Sequence, residues 1–128
     1  MRQVLPRLSI NGPVLAPTEK IKIGSAATIV STSDPVRIYE NFATLDLLSN
    51  GRAEIIGGRA SRVGLFELLG YDLKDYEELF EEKFKLLLKI NQEKFVTWEG
   101  NFRAPLKRAI LGQTFLGWHF CLYARFIF

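Results

Sequence analysis

The sequence predicts an α/β fold with parallel strands, and three observations between Lys20 and Arg59 support this prediction. A stretch of small and β-branched residues is typical of a strand covered on both faces. A strong helix-start signal and an amphipathic stretch follow it. A second strand-like stretch then comes after an Asn-Gly stop signal. A strand, a helix and a strand joined by short loops form a βαβ unit, whose two strands lie parallel.

Residues 1–17 are predicted to form an irregular arm. Pro6, Pro13 and Pro17, with Gly12 between them, leave no room for a regular helix or a central strand. The arm has no apolar stretch of signal-peptide length, and polar residues interrupt the apolar stretch from Ile110 to Phe128. We therefore expect a cytoplasmic protein without a membrane anchor.

The first strand is predicted within Lys20 to Val30, and a helix follows it. Ser33 or Asp34 can accept hydrogen bonds from the free amides of the first turn, and Pro35 suits the first helical position. Four apolar residues at steps of four, three and three predict a stripe that faces a sheet: Ile38, Phe42, Leu45 and Leu48. Asn50-Gly51 can end the helix in the left-handed conformation.

The second strand is predicted over Arg52 to Ile56 and continues into Gly57-Gly58-Arg59. Arg59 to Tyr71 is interpreted as a long loop. Asp72 to Ile90 is predicted to be a second amphipathic helix, and Phe95 to Trp98 a short strand. The apolar face of this helix comprises Leu73, Tyr76, Phe80, Phe84 and Leu87. Its acidic first half and basic second half, the latter with Lys83, Lys85 and Lys89, are interpreted as a solvated face that matches the helix dipole.

The charge distribution argues against nucleic-acid binding. The net charge is +3, but residues 34–106 carry ten basic and thirteen acidic side chains, so the excess lies at the two ends. The single cysteine, Cys121, has no His or Cys partners at zinc-ligand spacing, and His119 has no local carboxylate to orient it. We assign no metal site and no catalytic residue.

The carboxyl ends of the two predicted strands are the candidate site, because loops and helix amino ends converge there in parallel α/β sheets. The first end, Ala26 to Ser31, has small side chains that admit a flat ligand or fit a crowded interior. The second end, Gly57 to Ser61, combines close backbone approach at glycine with an arginine fork suited to phosphate. A Gly-rich turn with an exposed Arg59 explains that second pattern equally well.

The segment GSAATIVSTSDPVRIYENFATLDLLSNGRAEIIGGRAS, followed by LFELLGYDLKDYEELFEEKFKLLLK and VTWEGNFRAPL, resembles the luciferase-like flavin-dependent monooxygenases. The resemblance covers about Thr18 to Leu106, and its most specific part is DPVRIYENFATLDLLSNGRAE. It implies an α/β fold that is a fragment of a TIM (β/α)8 barrel, about strands three and four with their helices. It also implies an oxidoreductase that uses reduced FMN and molecular oxygen on an organic substrate, often with a flavin reductase as partner.

The resemblance also implies where the cofactor binds. Ala26 and Ala27 correspond to the strand end that backs the flavin ring, and Arg59, beside Gly58, corresponds to the arginine near the flavin phosphate. The family often has Val-Gly-Arg-Gly where this chain has Gly57-Gly58-Arg59-Ala60, so Ala60 would be strained if that position needs a positive φ.

The domain prediction has three parts: an arm over 1–17, a partial luciferase-like barrel segment over 18–106, and an unmatched apolar, aromatic tail over 107–128. A complete barrel needs eight βα units and about 250 residues. We therefore expect a truncated monooxygenase that is not competent alone. The alternatives are an enzyme completed by another chain, with the aromatic tail as interface or an oligomer as the active form, and a non-catalytic interaction module.

Overall fold

The computed structural model describes residues 18–60, 62–111 and 120–121. The predicted arm over 1–17, Ser61, His119 and most of the predicted tail lie outside the described residues. The elements in chain order are β1 (Ile23–Ile29), α1 (Pro35–Ser49), β2 (Ala53–Gly58), α2 (Val63–Leu68), a 3-10 turn (Leu73–Asp75), α3 (Tyr76–Gln92), β3 (Val96–Trp98), β4 (Leu106–Ala109) and β5 (Phe120–Cys121).

The predicted βαβ unit is confirmed, because β1 and β2 pair in parallel on either side of α1. Ile23 lies opposite Ala53, and Ile29 lies opposite Gly58. The register shifts between Ser25 and Thr28, so β1 holds one more residue than β2 over this stretch. The backbone of β5, within the predicted tail, pairs in parallel with the other edge of β2, and the described sheet has the order β1-β2-β5.

Helix α1 begins and ends where the capping residues predict. The Asp34 carboxylate accepts hydrogen bonds from the amides of Val36 at 2.8 Å and Arg37 at 3.3 Å, and Asn50 ends the helix with φ 56°. The predicted stripe is wrong at Leu48, which is 80% exposed, whereas Ser49 is buried. Leu48 lies about 80° around the helix from the centre of the stripe. A step of three residues is shorter than a full turn of 3.6 residues, and two such steps follow each other before Leu48.

Helix α3 packs against α1 and the sheet through the predicted apolar residues Phe80, Phe84 and Leu87. The chain before it differs from the prediction, since Leu73 is exposed in a separate 3-10 turn and the predicted loop contains α2. The prediction that the charged residues of this helix form a solvated face is wrong for Lys83, which is 2% exposed. Its Nζ donates to the Tyr71 hydroxyl at 2.8 Å and lies 4.2 Å from the ring centroid.

The predicted short strand at Phe95 to Trp98 is confirmed as β3, which pairs with β4 in an antiparallel hairpin. Glu82 of α3 fixes the connection between these strands. Its carboxylate accepts from the amides of Asn101 at 2.8 Å and Phe102 at 3.0 Å. A Cβ at Gly100 would displace this carboxylate from the two amides, so glycine there leaves room for the contact.

Candidate functional site

The sheet has two chemically different faces. Ala53, Ile55 and Gly57 of β2 are buried against the helices, and a Cβ at Gly57 would lie 3.3 Å from Phe84 of α3. On the opposite face, a Cβ at Gly24 would lie 3.6 Å from the Ile56 Cδ1 atom, and Ile56 is only partly buried. The described helices therefore cover the face that holds Ile55 and Gly57, and the other face combines the small residues Gly24 and Gly58 with the partly buried Ile56.

Ala27 and Gly58 meet on this second face, near the carboxyl ends of β1 and β2. A Cβ at Gly58 would lie 2.9 Å from the Ala27 Cβ atom, which is closer than real Cβ atoms approach. Gly58 does not have a positive φ, so it is needed for space rather than for an unusual dihedral angle. The bulge of β1 spans Ala26, whose backbone lies in the strand and whose side chain lies outside the described part.

Arg59 follows Gly58 directly and lies against the first two turns of α3. Its Nη2 atom is 2.8 Å from Glu77 Oε2, and its Nη1 atom donates to Glu77 Oε1 at 3.3 Å. The guanidinium carbon lies 4.6 Å from the centroid of Phe80 and 5.9 Å from that of Tyr76. The interpretation of Arg59 as an exposed residue in a Gly-rich turn is wrong, because its side chain is only 18% exposed and is held on three sides.

The Arg59–Glu77 ion pair also affects the pKa of Tyr76. Burial raises the pKa of the Tyr76 hydroxyl; the Arg59 charge opposes this shift and the Glu77 charge adds to it. A neutral tyrosine, a cation and a carboxylate thus share the amino end of α3.

Ala60 does not carry the strain that a positive φ would cause. The non-glycine residues with positive φ in the described chain are Asn50 and Arg108, and Ala60 is instead packed in a small core cluster with Phe66 and Leu79. Alanine is therefore accommodated at position 60 without backbone strain, and its side chain contributes to packing.

The carboxyl end of β1 leads into Ser31 and Asp34. Ser31 is completely buried, and its hydroxyl has no hydrogen-bond partner among the described residues. Besides capping α1, Asp34 accepts a hydrogen bond from Arg103 Nε at 3.0 Å. This contact ties the β3–β4 hairpin to the strand ends.

Two features were not predicted from the sequence. Glu77 lies 18 residues after Arg59, and no local motif links an arginine at a strand end to an acid in the next long helix. Phe80 was predicted to lie on the apolar face of this helix, and it also supports the guanidinium. One sequence feature could have indicated these contacts. Tyr76, Glu77 and Phe80 lie in the first turns of the helix after β2, and the amino end of such a helix lies near the carboxyl ends of the parallel strands.

Within the described residues, no three His, Cys, Asp or Glu side chains converge on a metal-sized position. No helix in the same part of the chain has both the length and the apolarity needed to cross a membrane. The candidate site is a small-residue surface on two strand ends, with the partly buried and supported cation of Arg59 beside it.

A family model described as luciferase-like monooxygenase matches residues 8–113. The chain belongs to the luciferase-like monooxygenase family. The alkanal monooxygenase beta chain of Photorhabdus laumondii is 36% identical over 80 residues, which are 62% of this chain and 25% of that protein. The alkanal monooxygenase alpha chain of the Kryptophanaron alfredi symbiont is 30% identical over 76 residues, covering 59% of this chain and 21% of the relative.

The crystal structure of the monooxygenase RslO1 from Streptomyces bottropensis has a similar mixed α/β fold over the matched region. The two structures agree with a TM-score of 0.81 at 20% identity, over 91% of this chain and 36% of the other. The chain spans about a quarter of the length of the curated relatives that it matches.

Proposed function

We propose that this chain forms part of an FMN-dependent monooxygenase barrel and carries one wall of its flavin site. The observation that carries the proposal is the close contact of Ala27 with Gly58 at two parallel strand ends, with the fork of Arg59 directly after it. Family membership makes this arrangement specific, since small residues and an arginine alone fit many ligands.

The uncovered sheet face supports the barrel. In a TIM barrel the helices pack outside, and the inward face is filled by side chains of the other strands. Here the helices cover one face, and Gly24, Ala27 and Ile56 remain exposed or half-buried on the other. The described parallel sheet has three strands, and the outer edge of β1 has no paired strand in the described chain. Both features fit a segment whose neighbours in the barrel are further strands.

The residues present fit FMN. Ala27 and Gly58 form a surface without long side chains, against which a flat ring can lie close to the backbone. Ala26, the third residue that the resemblance assigns to the flavin, belongs to the same strand, β1. Arg59 presents terminal N–H groups that match a phosphate, and Phe80 restricts its movement. Bound reduced FMN supplies the electrons with which molecular oxygen is activated toward an organic substrate. The role of this chain is to hold the ring, anchor the phosphate and exclude water from one side.

We further propose that the 128-residue chain does not retain FMN by itself, because a ring held on one wall remains open to water on the other. Equilibrium dialysis of the full chain against FMN tests this, with retention measured by flavin absorbance. The expected result is equal flavin on both sides of the membrane at micromolar concentration. Micromolar retention together with catalysed oxygen consumption would show that the chain is competent alone.

The outer edge of β1, which pairs with no strand of the described residues, favours a second candidate, in which another polypeptide supplies the remaining strands and restores activity. Edge strands present unpaired N–H and C=O groups that pair readily with a further strand. Co-purification of the tagged chain with one defined partner, accompanied by FMN retention, is the expected result for this candidate. A stable, monodisperse monomer argues against it. A flavin reductase that supplies reduced FMN is the second partner that this proposal includes.

A further inference from the structure

We propose that the Glu77 carboxylate competes with an anionic ligand for the guanidinium of Arg59. Its carboxylate occupies the fork of the guanidinium, and it must leave before the phosphate of a ligand can take the same donors. This inference rests on the proposed function, because it concerns the residue that would anchor the phosphate of FMN.

The geometry identifies the shared donors. Both carboxylate oxygens of Glu77 approach terminal nitrogens of Arg59, at 2.8 Å and 3.3 Å, so the pair is bidentate. A phosphate binds arginine through the same two terminal N–H groups. Carboxylate and phosphate therefore cannot both use this side of the guanidinium.

The exposures show which partner moves. The Arg59 side chain is 18% exposed, whereas the Glu77 side chain is 62% exposed. Glu77 can rotate into water without uncovering the core. Arg59 lies on Phe80, whose ring is stacked on Phe84 with centroids 5.5 Å apart. The cation is thus fixed by aromatic rings, and the anion above it is replaceable.

The same contacts distinguish two possible roles of Glu77, which either competes with the anionic ligand or positions Arg59. If Glu77 served to orient Arg59, removing its charge would weaken anion binding. Because Phe80 and Tyr76 already hold the guanidinium, we expect removal of the charge to strengthen binding instead. Ion pairs with one exposed partner are weak, so the expected gain is about two- to five-fold. The sign of the change is the test.

The experiment titrates inorganic phosphate into the full 128-residue chain and follows the Arg59 Nε–Hε signal by NMR. Four proteins are compared: the parent chain, Glu77→Gln, Glu78→Gln and Arg59→Gln. Glu78→Gln removes the same charge one residue away, from an exposed side chain, and corrects for the general loss of negative potential. Arg59→Gln is followed through the amide signals of its neighbours and is expected to lose the phosphate response.

The proposal predicts that phosphate binds Glu77→Gln about two- to five-fold more tightly than Glu78→Gln. Equal affinity in these two variants, weaker binding by Glu77→Gln than by the parent chain, or no saturable response in either protein would overturn it. Dialysis against FMN is a separate readout. Phosphate could bind Glu77→Gln more tightly while Arg59 proves unnecessary for FMN retention once the barrel is complete. This pair of results would support the competition by Glu77 and reject the flavin site.

Discussion

Replacing Gly58 by alanine should force strands β1 and β2 apart. The new Cβ atom would lie 2.9 Å from the Ala27 Cβ atom, and carbon atoms pack at about 3.5–4.0 Å, so the gap must widen by roughly 0.6 Å. Both atoms are attached directly to paired backbones, and no side-chain rotation can relieve the contact. The strands themselves must move.

The magnitude follows from two opposing effects. Overpacking costs about 1–3 kcal/mol, and the loss of glycine flexibility in the unfolded chain returns about 0.4–1 kcal/mol. We expect Gly58→Ala to lower the free energy of unfolding by about 1–2 kcal/mol. Urea denaturation measures this as a lower midpoint with an unchanged slope.

Two variants make the Gly58→Ala measurement decisive. Gly24→Ala adds the same atom to the same sheet face, where its nearest neighbours lie at an ordinary 3.6 Å, so its midpoint should not fall. Ala27→Gly removes the atom that Gly58→Ala strikes, and the double variant should regain part of the lost stability. A Gly58→Ala midpoint equal to that of Gly24→Ala, or a double variant without rescue, would refute the close contact.

Three further predictions concern single side chains. Asp34→Ala should destabilise the chain by about 1 kcal/mol in urea denaturation because α1 loses its cap, while Asp34→Asn keeps a capping oxygen and should lose less; equal losses would contradict the cap. Glu82→Ala should destabilise by about 1–2 kcal/mol because two loop amides lose their acceptor, whereas Glu81→Ala, in an exposed pair with Lys85, should change stability by less than about 0.5 kcal/mol. Burial raises the pKa of Tyr39, so the folded state holds this proton more tightly than the unfolded state. The resulting stability is complete below the unfolded pKa of about 10 and is lost as pH rises through the folded pKa; Tyr39→Phe should flatten this decline between pH 9 and 11, and an unchanged slope would contradict it.

Local signals predicted the βαβ unit well because its boundaries depend on neighbouring residues. Asp34, Pro35 and Asn50 each act within one helical turn, so their roles are readable from the sequence. The parallel pairing followed from the short loops on either side of α1. Leu48 was misplaced because the prediction counted apolar steps without following the angle around the helix.

The site was only partly predictable because its contacts cross between elements. The sequence pointed to Gly58 and Arg59 at a strand end, but two interpretations of that pattern were equally good. Arg59 is distinguished from an exposed turn residue by Glu77 and Phe80, which come from a different element. Lys83 shows the same limit, since its charge suggested a solvated position and only the tertiary packing around Tyr71 buries it.

The measurement that tests the proposed flavin site most directly is FMN retention by a chimaera. Residues 18–106 would replace the matched segment of a luciferase-like monooxygenase that retains FMN, with Arg59→Gln and Arg62→Gln made in the same background. Arg62 is exposed and serves as the matched control. We predict that the folded chimaera retains FMN, that Arg59→Gln weakens retention about ten-fold or more through the loss of charge-assisted hydrogen bonds, and that Arg62→Gln does not. A folded chimaera without FMN, or equal retention by the two arginine variants, would contradict the account.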